Sequence, residues 1–263
     1  MNYQDESADL WPGLLTAEQV DAFRRDGYVI VPGLYDAAEV AEIAGWAQEV
    51  HDWPETPGKF MMYFEESRDE PGKRLLNRIE NVPPYHDGLA RLAAGPKMQG
   101  ACAQLFGEPA VLFKDKINYK LPGGGGFEPH QDVQAGWARY APLHITSLVT
   151  IDRTTIENGC LEIARGFRGQ DLIGDEWTPL TDESLAGIEF VSVESEPGDT
   201  LFFDSFIPHQ SAPNRSAAPR RVLYYTYNKA SEGDHLAQYY ADKRASYPPD
   251  IEREEGKEYR YRV

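Results

Sequence analysis

The 263-residue chain carries 43 acidic against 26 basic residues, a formal charge of −17, which sets its surface against nucleic-acid phosphates and anionic lipid. Hydrophobic residues make up 41% and aromatics 12%, enough for a sizeable core and rich in the types that favour strands. Cys102 and Cys160 are the only cysteines, so one bridge is the most they can form and a disulfide framework is excluded.

The N-terminal stretch MNYQDESADLW is acidic and has no apolar segment of the signal-peptide kind. No apolar run approaches the ~18 residues of a membrane span, and a cytoplasmic protein without membrane or nucleic-acid partners is expected. Thr16 with Gln19 three residues on predicts a capping box opening AEQVDAFRRDG, with Gly27 as its stop. YVIVPGL, residues 28–34, reads as a strand. Asp36 caps a helix in which Val40, Ile43, Ala47 and Val50 share a face. Residues 54–86 hold five prolines and many charges and read as loop. A helical pair is predicted from about Gly88 to Phe106, broken near Pro96.

After Gly107 the texture turns to short apolar or alternating runs separated by turn residues, the pattern of a barrel, sandwich or jelly roll. Asn158–Gly159 reads as a two-residue hairpin between HITSLVTIDRTT and CLEIARGF, and Pro197–Gly198–Asp199 as another turn. HLAQYYADKRAS, residues 235–246, predicts a closing helix. One domain is expected over 1–263: a helical and loop portion to about 107, a β core over about 108–230, and a C-terminal helix and tail over 231–263.

Within GGGGFEPHQDVQAGW, His130 and Asp132 are two apart, so an extended backbone turns both to one side and Gln131 to the other. One more histidine would complete the two-histidine, one-carboxylate face of non-haem Fe(II) oxygenases. By itself the pair also fits a surface hairpin. His209, at the end of the aromatic run PGDTLFFDSFIPHQS, is the favoured third ligand because it can turn inward at a barrel mouth. His144 within PLHITSL reads as a core or loop histidine, His51 and His86 lie in the charged N-terminal half, and His235 opens the last helix. Arg220 heads the apolar run RRVLYYTYN and suits a bidentate carboxylate clamp. Alternation puts Arg220, Val222 and Tyr224 on one face and Arg221, Leu223 and Tyr225 on the other, without saying which is inside. Cys160 reads as a small apolar filler.

The set His130-Gln131-Asp132, His209 and Arg220 resembles the phytanoyl-CoA dioxygenase family of Fe(II)/2-oxoglutarate oxygenases. ITSLVTIDRTTIENGCLEIARGF, PGDTLFF and RDGYVIVPGLYDAAEV extend the likeness over most of residues 20–230. Where that family often has Pro-Gly-Ser-His after its Asn-Gly turn, this chain has Ala164-Arg165-Gly166-Phe167-Arg168. The resemblance implies a mainly β fold with added helices, a double-stranded β-helix or cupin-like jelly roll with the N-terminal helices on one side. It also implies Fe(II) on His130, Asp132 and His209. The co-substrate 2-oxoglutarate would be held by Arg220 and Ser211, with Asn118 and Thr146 as further contacts. The resemblance further implies that O2 is consumed, that succinate and CO2 are released, and that an unactivated C–H bond is hydroxylated.

LLNRIENV and KINYKLPGGGGFEPHQD are most similar to the bacterial 2-aminoethylphosphonate-type members, which implies a small (amino)phosphonate substrate oxidised next to phosphorus. Arg78, Lys114, Lys116, Lys120 and Arg165 are candidates for the phosphonate, and Glu80, Tyr63 and Tyr119 for an ammonium. Lys114, Lys116, Asn118 and Lys120 share one strand face, which is expected to reach solvent in part. Another small zwitterion such as a betaine, amino acid or ectoine, a non-redox cupin-like metal enzyme, and a non-catalytic binding barrel remain as alternatives. The acidic surface argues against acyl-CoA.

Overall fold

The structure, a computed structural model, describes residues 14–167 and 171–259. The N-terminal residues 1–13 and Arg168, used above, lie outside them. The strands are β1 (Tyr28–Val31), β2 (Met61–Glu66), β3 (Arg74–Glu80), β4 (Ala110–Lys120), β5 (Phe127–His130), β6 (Ile145–Thr150), β7 (Leu161–Ala164), β8 (Phe190–Val193), β9 (Thr200–Asp204), β10 (His209–Ser211) and β11 (Arg220–Lys229). A seven-stranded sheet runs β1-β9-β6-β11-β4-β3-β2 and a four-stranded sheet β5-β10-β7-β8, and every pairing is antiparallel. Leu148, Leu201, Phe203 and Val222 of the large sheet pack on Leu161, Ile163 and Val193 of the small one. This is the expected mainly β jelly roll.

The other face of the large sheet is covered by α1 (Ala17–Asp26), α2 (Ala37–His51), α3 (Asp87–Ala93) and α4 (Ala101–Phe106). Thr16 and Gln19 form the reciprocal box at the start of α1, and Gly27 ends it with φ of 77°. Asp36 caps α2, and Ile43, Ala47 and Val50 are buried. Three tyrosines tie sheet to helices by donating to backbone carbonyls: Tyr119 to Ala47 at 2.7 Å, Tyr225 to Leu89 at 2.8 Å and Tyr227 to Ala93 at 2.6 Å. A fifth helix, α5 (Leu236–Ser246), closes the barrel end through Tyr239 and Tyr240 against Phe113 and Trp137. No helix among the described residues is long and apolar enough to cross a membrane.

Two expectations are corrected. Residues 54–86 are not all loop: β2 and β3 form a hairpin on the sheet edge. Its prolines sit outside the strands, and the charges that suggested solvent, Arg78 and Glu80, are buried. Asn158–Gly159 does form a tight turn, with Gly159 at φ of 72°, but β6 and β7 belong to different sheets, so the turn hands the chain across the sandwich. Gly159 is required there by close approach as well, because a Cβ would lie 2.1 Å from the Ala212 carbonyl oxygen.

The glycine run before β5 serves the same need. A Cβ on Gly126 would lie 2.3 Å from the Ser211 carbonyl oxygen, so only glycine lets this segment lie against β10 beside the two histidines. Gly126→Ala is expected to lower stability by about 2–4 kcal/mol. Gly45→Ala, in an exposed helical position with nothing near its Cβ, should raise it by up to ~1 kcal/mol. Urea unfolding followed by circular dichroism checks both.

Candidate active site

His130 ends β5, Asp132 opens a 3-10 turn, and Gln131 between them is extended (φ −105°, ψ 136°). The alternation therefore survives the end of the strand. Gln131 faces away and donates to the Phe206 and Asp171 carbonyls at 2.6 and 3.0 Å. His209 opens β10 directly opposite His130 in the ladder. Asp132 Oδ1 lies 4.0 Å from His130 Nε2 and 3.9 Å from His209 Nε2, and one ligand atom from each of the three falls within 4.8 Å of the others.

The protonation pattern suits a divalent cation. His130 Nδ1 donates to the Glu128 carbonyl at 2.7 Å and His209 Nδ1 to the Ile207 carbonyl at 2.9 Å, which leaves the Nε2 lone pairs facing the centre. Burial, reinforced by His209, brings His130 down to about 3, and burial likewise lowers His209, so both rings are neutral at pH 7. Burial pushes the Asp132 carboxyl up, but the imidazoles, Lys116 and Lys114 outweigh it and hold the group below its usual range. Two neutral imidazoles and one carboxylate leave coordination positions open on a metal.

The even residues of β11 turn out to be the inner ones. Arg220 is 2% exposed and shares the metal pocket with Asn118, Ser211 and Tyr224. Its Nε has no hydrogen-bond partner among the described residues. Arg221 faces the helices and pairs with Asp152 through Nε and Nη2, both at 2.8 Å. Ser211 accepts a 2.7 Å bond from Lys120, whose amine also donates to the Ala212 and Gly159 carbonyls at 2.6 and 3.1 Å. Burial, with Arg220 nearby, lowers Lys120 below the usual lysine range, while three acceptors hold the protons of its ammonium.

The β4 face carrying Lys114, Lys116, Asn118 and Lys120 points into the barrel, with Lys116 half-buried, in line with the expectation that the face reaches solvent in part. Lys114, Asn118 and Lys120 are buried. Lys114, Lys116 and Asn118 line the pocket of the triad, and Lys116 lies 4.4 Å over the Tyr224 ring. A neighbouring cavity of about 300 Å³, walled in part by Tyr63, Glu65, Arg78, Phe127 and Tyr247, shares His130 with this pocket.

Four expected positions fall elsewhere. Thr146 sits behind Asp132, 3.3 Å from its Oδ2 and 2.9 Å from the Thr226 hydroxyl, where it orients the carboxylate and does not line the pocket. Tyr119 faces α2 on the opposite side of β4. Arg165 is exposed at the end of β7. Glu80 is fully buried, with Oε1 taken by Arg78 Nε at 2.7 Å and Oε2 by Lys243, which leaves no carboxylate edge for a substrate ammonium. Of the other histidines, His144 is buried against Phe113 and Trp137, His86 accepts from Leu89 N at the start of α3, and His51 pairs with Asp52. His235 bonds the Glu232 carbonyl ahead of α5. Lys243 and Trp137 were missed as site-builders, since only helix docking and the turn after Asp132 bring them here, and Lys120, expected at the substrate, is instead fixed on Ser211.

Residues 23–222 match the phytanoyl-CoA dioxygenase (PhyH) family. The chain belongs to that family. It is a non-haem iron dioxygenase. It is 42% identical over 245 residues to a 2-aminoethylphosphonate dioxygenase of the uncultured bacterium HF130_AEPn_1, covering 93% of each chain. It is 38% identical to a methylphosphonate hydroxylase of Gimesia maris, over 89% of this chain and 88% of that one. Among solved structures it resembles EctD from S. alaskensis, crystallised with 2-oxoglutarate and 5-hydroxyectoine, with a TM-score of 0.71 and 23% identity over 84% of this chain and 78% of that one.

Asp132→Ala and His209→Ala are each expected to abolish stoichiometric Fe(II) binding, read by metal analysis after anaerobic loading. His144→Ala should retain it. Loss in all three variants would move the metal away from the triad.

Proposed function

We propose that this enzyme hydroxylates a small phosphonate at the carbon next to phosphorus, using Fe(II), 2-oxoglutarate and O2 and releasing succinate and CO2. The observation that carries the substrate class is the inner cationic wall. A chain of net charge −17 places Lys114 and Lys116 beside its metal ligands and Arg78 on the adjoining cavity. Amines are seldom buried without an anion to receive, and a phosphonate oxyanion takes charge-assisted bonds from such donors. The two relatives named for phosphonates support the same reading.

His130, Asp132 and His209 would hold the iron, and Arg220 with the Lys120-fixed hydroxyl of Ser211 would hold the far carboxylate of 2-oxoglutarate. When bound, iron and 2-oxoglutarate would supply the chemistry by which O2 is reduced and becomes the oxidant for the substrate C–H bond. The protein fixes the rest. The two carbonyl-anchored imidazoles keep their tautomers, Thr146 orients the carboxylate behind them, and Trp137 and Phe113 keep bulk water from the far wall. The cavity of about 300 Å³ next to His130 gives room for a substrate longer than a methyl group, with Glu65 and Tyr247 on its wall.

Succinate release should rise on adding 2-aminoethylphosphonate or methylphosphonate and stay near its unstimulated level with betaine, free amino acids or ectoine. The reverse order would overturn the phosphonate reading. Arg220→Ala should raise the KM for 2-oxoglutarate more than tenfold, consistent with ~2–5 kcal/mol for a buried charged pair, while leaving the phosphonate KM within a few-fold. Arg221→Ala should leave both KM values unchanged and lower Tm through loss of its pair with Asp152.

A further inference from the structure

We infer that Lys243, on α5 and beyond the residues matched to the family, is a positioning residue for the substrate anion. By engaging Glu80 it keeps Lys114 available to the pocket.

Glu80 has two oxygens and three cationic neighbours. Arg78 Nε takes Oε1 at 2.7 Å and the Lys243 amine takes Oε2. Lys114 is close enough to lower the Glu80 carboxyl, yet it makes no ion pair or hydrogen bond among the described residues. Its amine lies 5.2 Å from the Trp137 ring and lines the metal pocket. A buried carboxylate with an open lone pair draws the nearest cation onto itself, because an unpaired buried charge is strongly disfavoured. Lys243 removes that pull. The remaining amines, Lys114 and Lys116, then face the pocket with Asp132 as the one nearby carboxylate on that side among the described residues, and Asp132 would be committed to the metal. Asp115, the other carboxylate near Lys114, is turned to Tyr240, whose hydroxyl bonds it at 2.7 Å, and to Val82 N at 2.9 Å.

The docking of α5 supports the assignment. Tyr239 and Tyr240 pack on Phe113 and Met61, and Tyr63 donates to the Tyr247 carbonyl at 2.8 Å. Lys243 is therefore delivered to Glu80 by a helix seated at the barrel end. Its side chain is only 12% exposed, which suits a fixed partner better than a mobile surface charge. Without it, the second oxygen of Glu80 would be left to Lys114.

This inference rests on the phosphonate reading. The experiment is steady-state kinetics on the full chain, with separate KM values for 2-aminoethylphosphonate and 2-oxoglutarate and with hydroxylated product counted against succinate. Lys243→Met should raise the phosphonate KM tenfold or more, leave the 2-oxoglutarate KM within twofold, and release succinate in excess of product. Lys114→Met should do the same, and the two losses should not add, since both remove one amine from the pocket. E80Q placed on Lys243→Met should recover most of the phosphonate KM, because a neutral amide no longer captures Lys114. A merely structural Lys243 would give additive losses and no recovery, and that result overturns the inference. If Lys243→Met does not fold, Lys243→Arg decides. A phosphonate KM within threefold of the parent supports the role of a cation on Glu80, and a tenfold loss with 2-oxoglutarate KM unchanged overturns it. Wild-type enzyme that shows no phosphonate-stimulated succinate release would remove the substrate reading, and the inference with it. Wild-type turnover of phosphonate with an unchanged KM in Lys243→Met removes the inference alone.

Discussion

Positive charge inside a barrel is the constraint to which the rest of this molecule answers. One face of β4 carries Lys114, Lys116, Asn118 and Lys120 inward, and the paired face of β11 adds Arg220. Removing such groups from water is costly unless each finds a carboxylate, a set of carbonyls or a ligand. The structure shows three different solutions. Lys120 is spent on the Ser211 hydroxyl and two backbone carbonyls. Arg78 and Lys243 share Glu80. Arg220, Lys116 and Lys114 have no carboxylate partner among the described residues, and all three border the triad. The proposed function places anionic small molecules where the protein stops neutralising its own charge.

Lys120 also explains how two sheets can carry one site. The triad is built wholly on the small-sheet side, with His130 on β5, His209 on β10 and Asp132 just past β5, while Arg220 lies on the large sheet. Under the proposed function, a co-substrate held between the triad and Arg220 would bridge the sandwich, which makes the separation of the two sheets matter to the site. One amine donating from β4 to three acceptors, Ser211 on β10, Ala212 just past it and Gly159 at the sheet-crossing turn, sets that separation from the protein side. Glycine at positions 126 and 159 lets the backbones come close enough for it to reach.

The sequence made the local chemistry legible and left the facing of elements open. His130 and Asp132 could be paired because period-two geometry holds for any extended stretch, even one that ends in a 3-10 turn. His209 stood out because an aromatic strand led into it, and Arg220 because it headed an apolar run. Alternation could divide β11 into two faces but could not say which was inside, since both carry tyrosines and both are buried: the odd residues against helices, the even ones in the barrel. The same ambiguity misplaced Tyr119. Residues 54–86 read as loop because Arg78 and Glu80 looked solvated, when they form a buried ionic cluster. Thr146 was placed by the family resemblance and Arg165 by nearness in sequence, and register and strand ends sent them behind the carboxylate and out to solvent. The Asn-Gly turn was legible as a turn, but no local signal says that the strands on either side join different sheets.

Glu80 shows why charge read along a chain can mislead about role. As a carboxylate near an expected substrate site it looked suited to an ammonium. Its burial first pushes its carboxyl up, and Lys243, Lys114 and Arg78 then more than reverse the effect, so it is an anion held by its own protein. Two cations for two oxygens satisfy it, and a third amine nearby is left over. A single buried carboxylate can in this way act as a sorting device. It consumes the cations that docking brings within reach and, by being full, leaves the next one to the ligand. On this argument the net positive wall beside the metal is the remainder after Glu80 is saturated, and it depends on how firmly the C-terminal helix is seated as much as on the strand that carries the lysines.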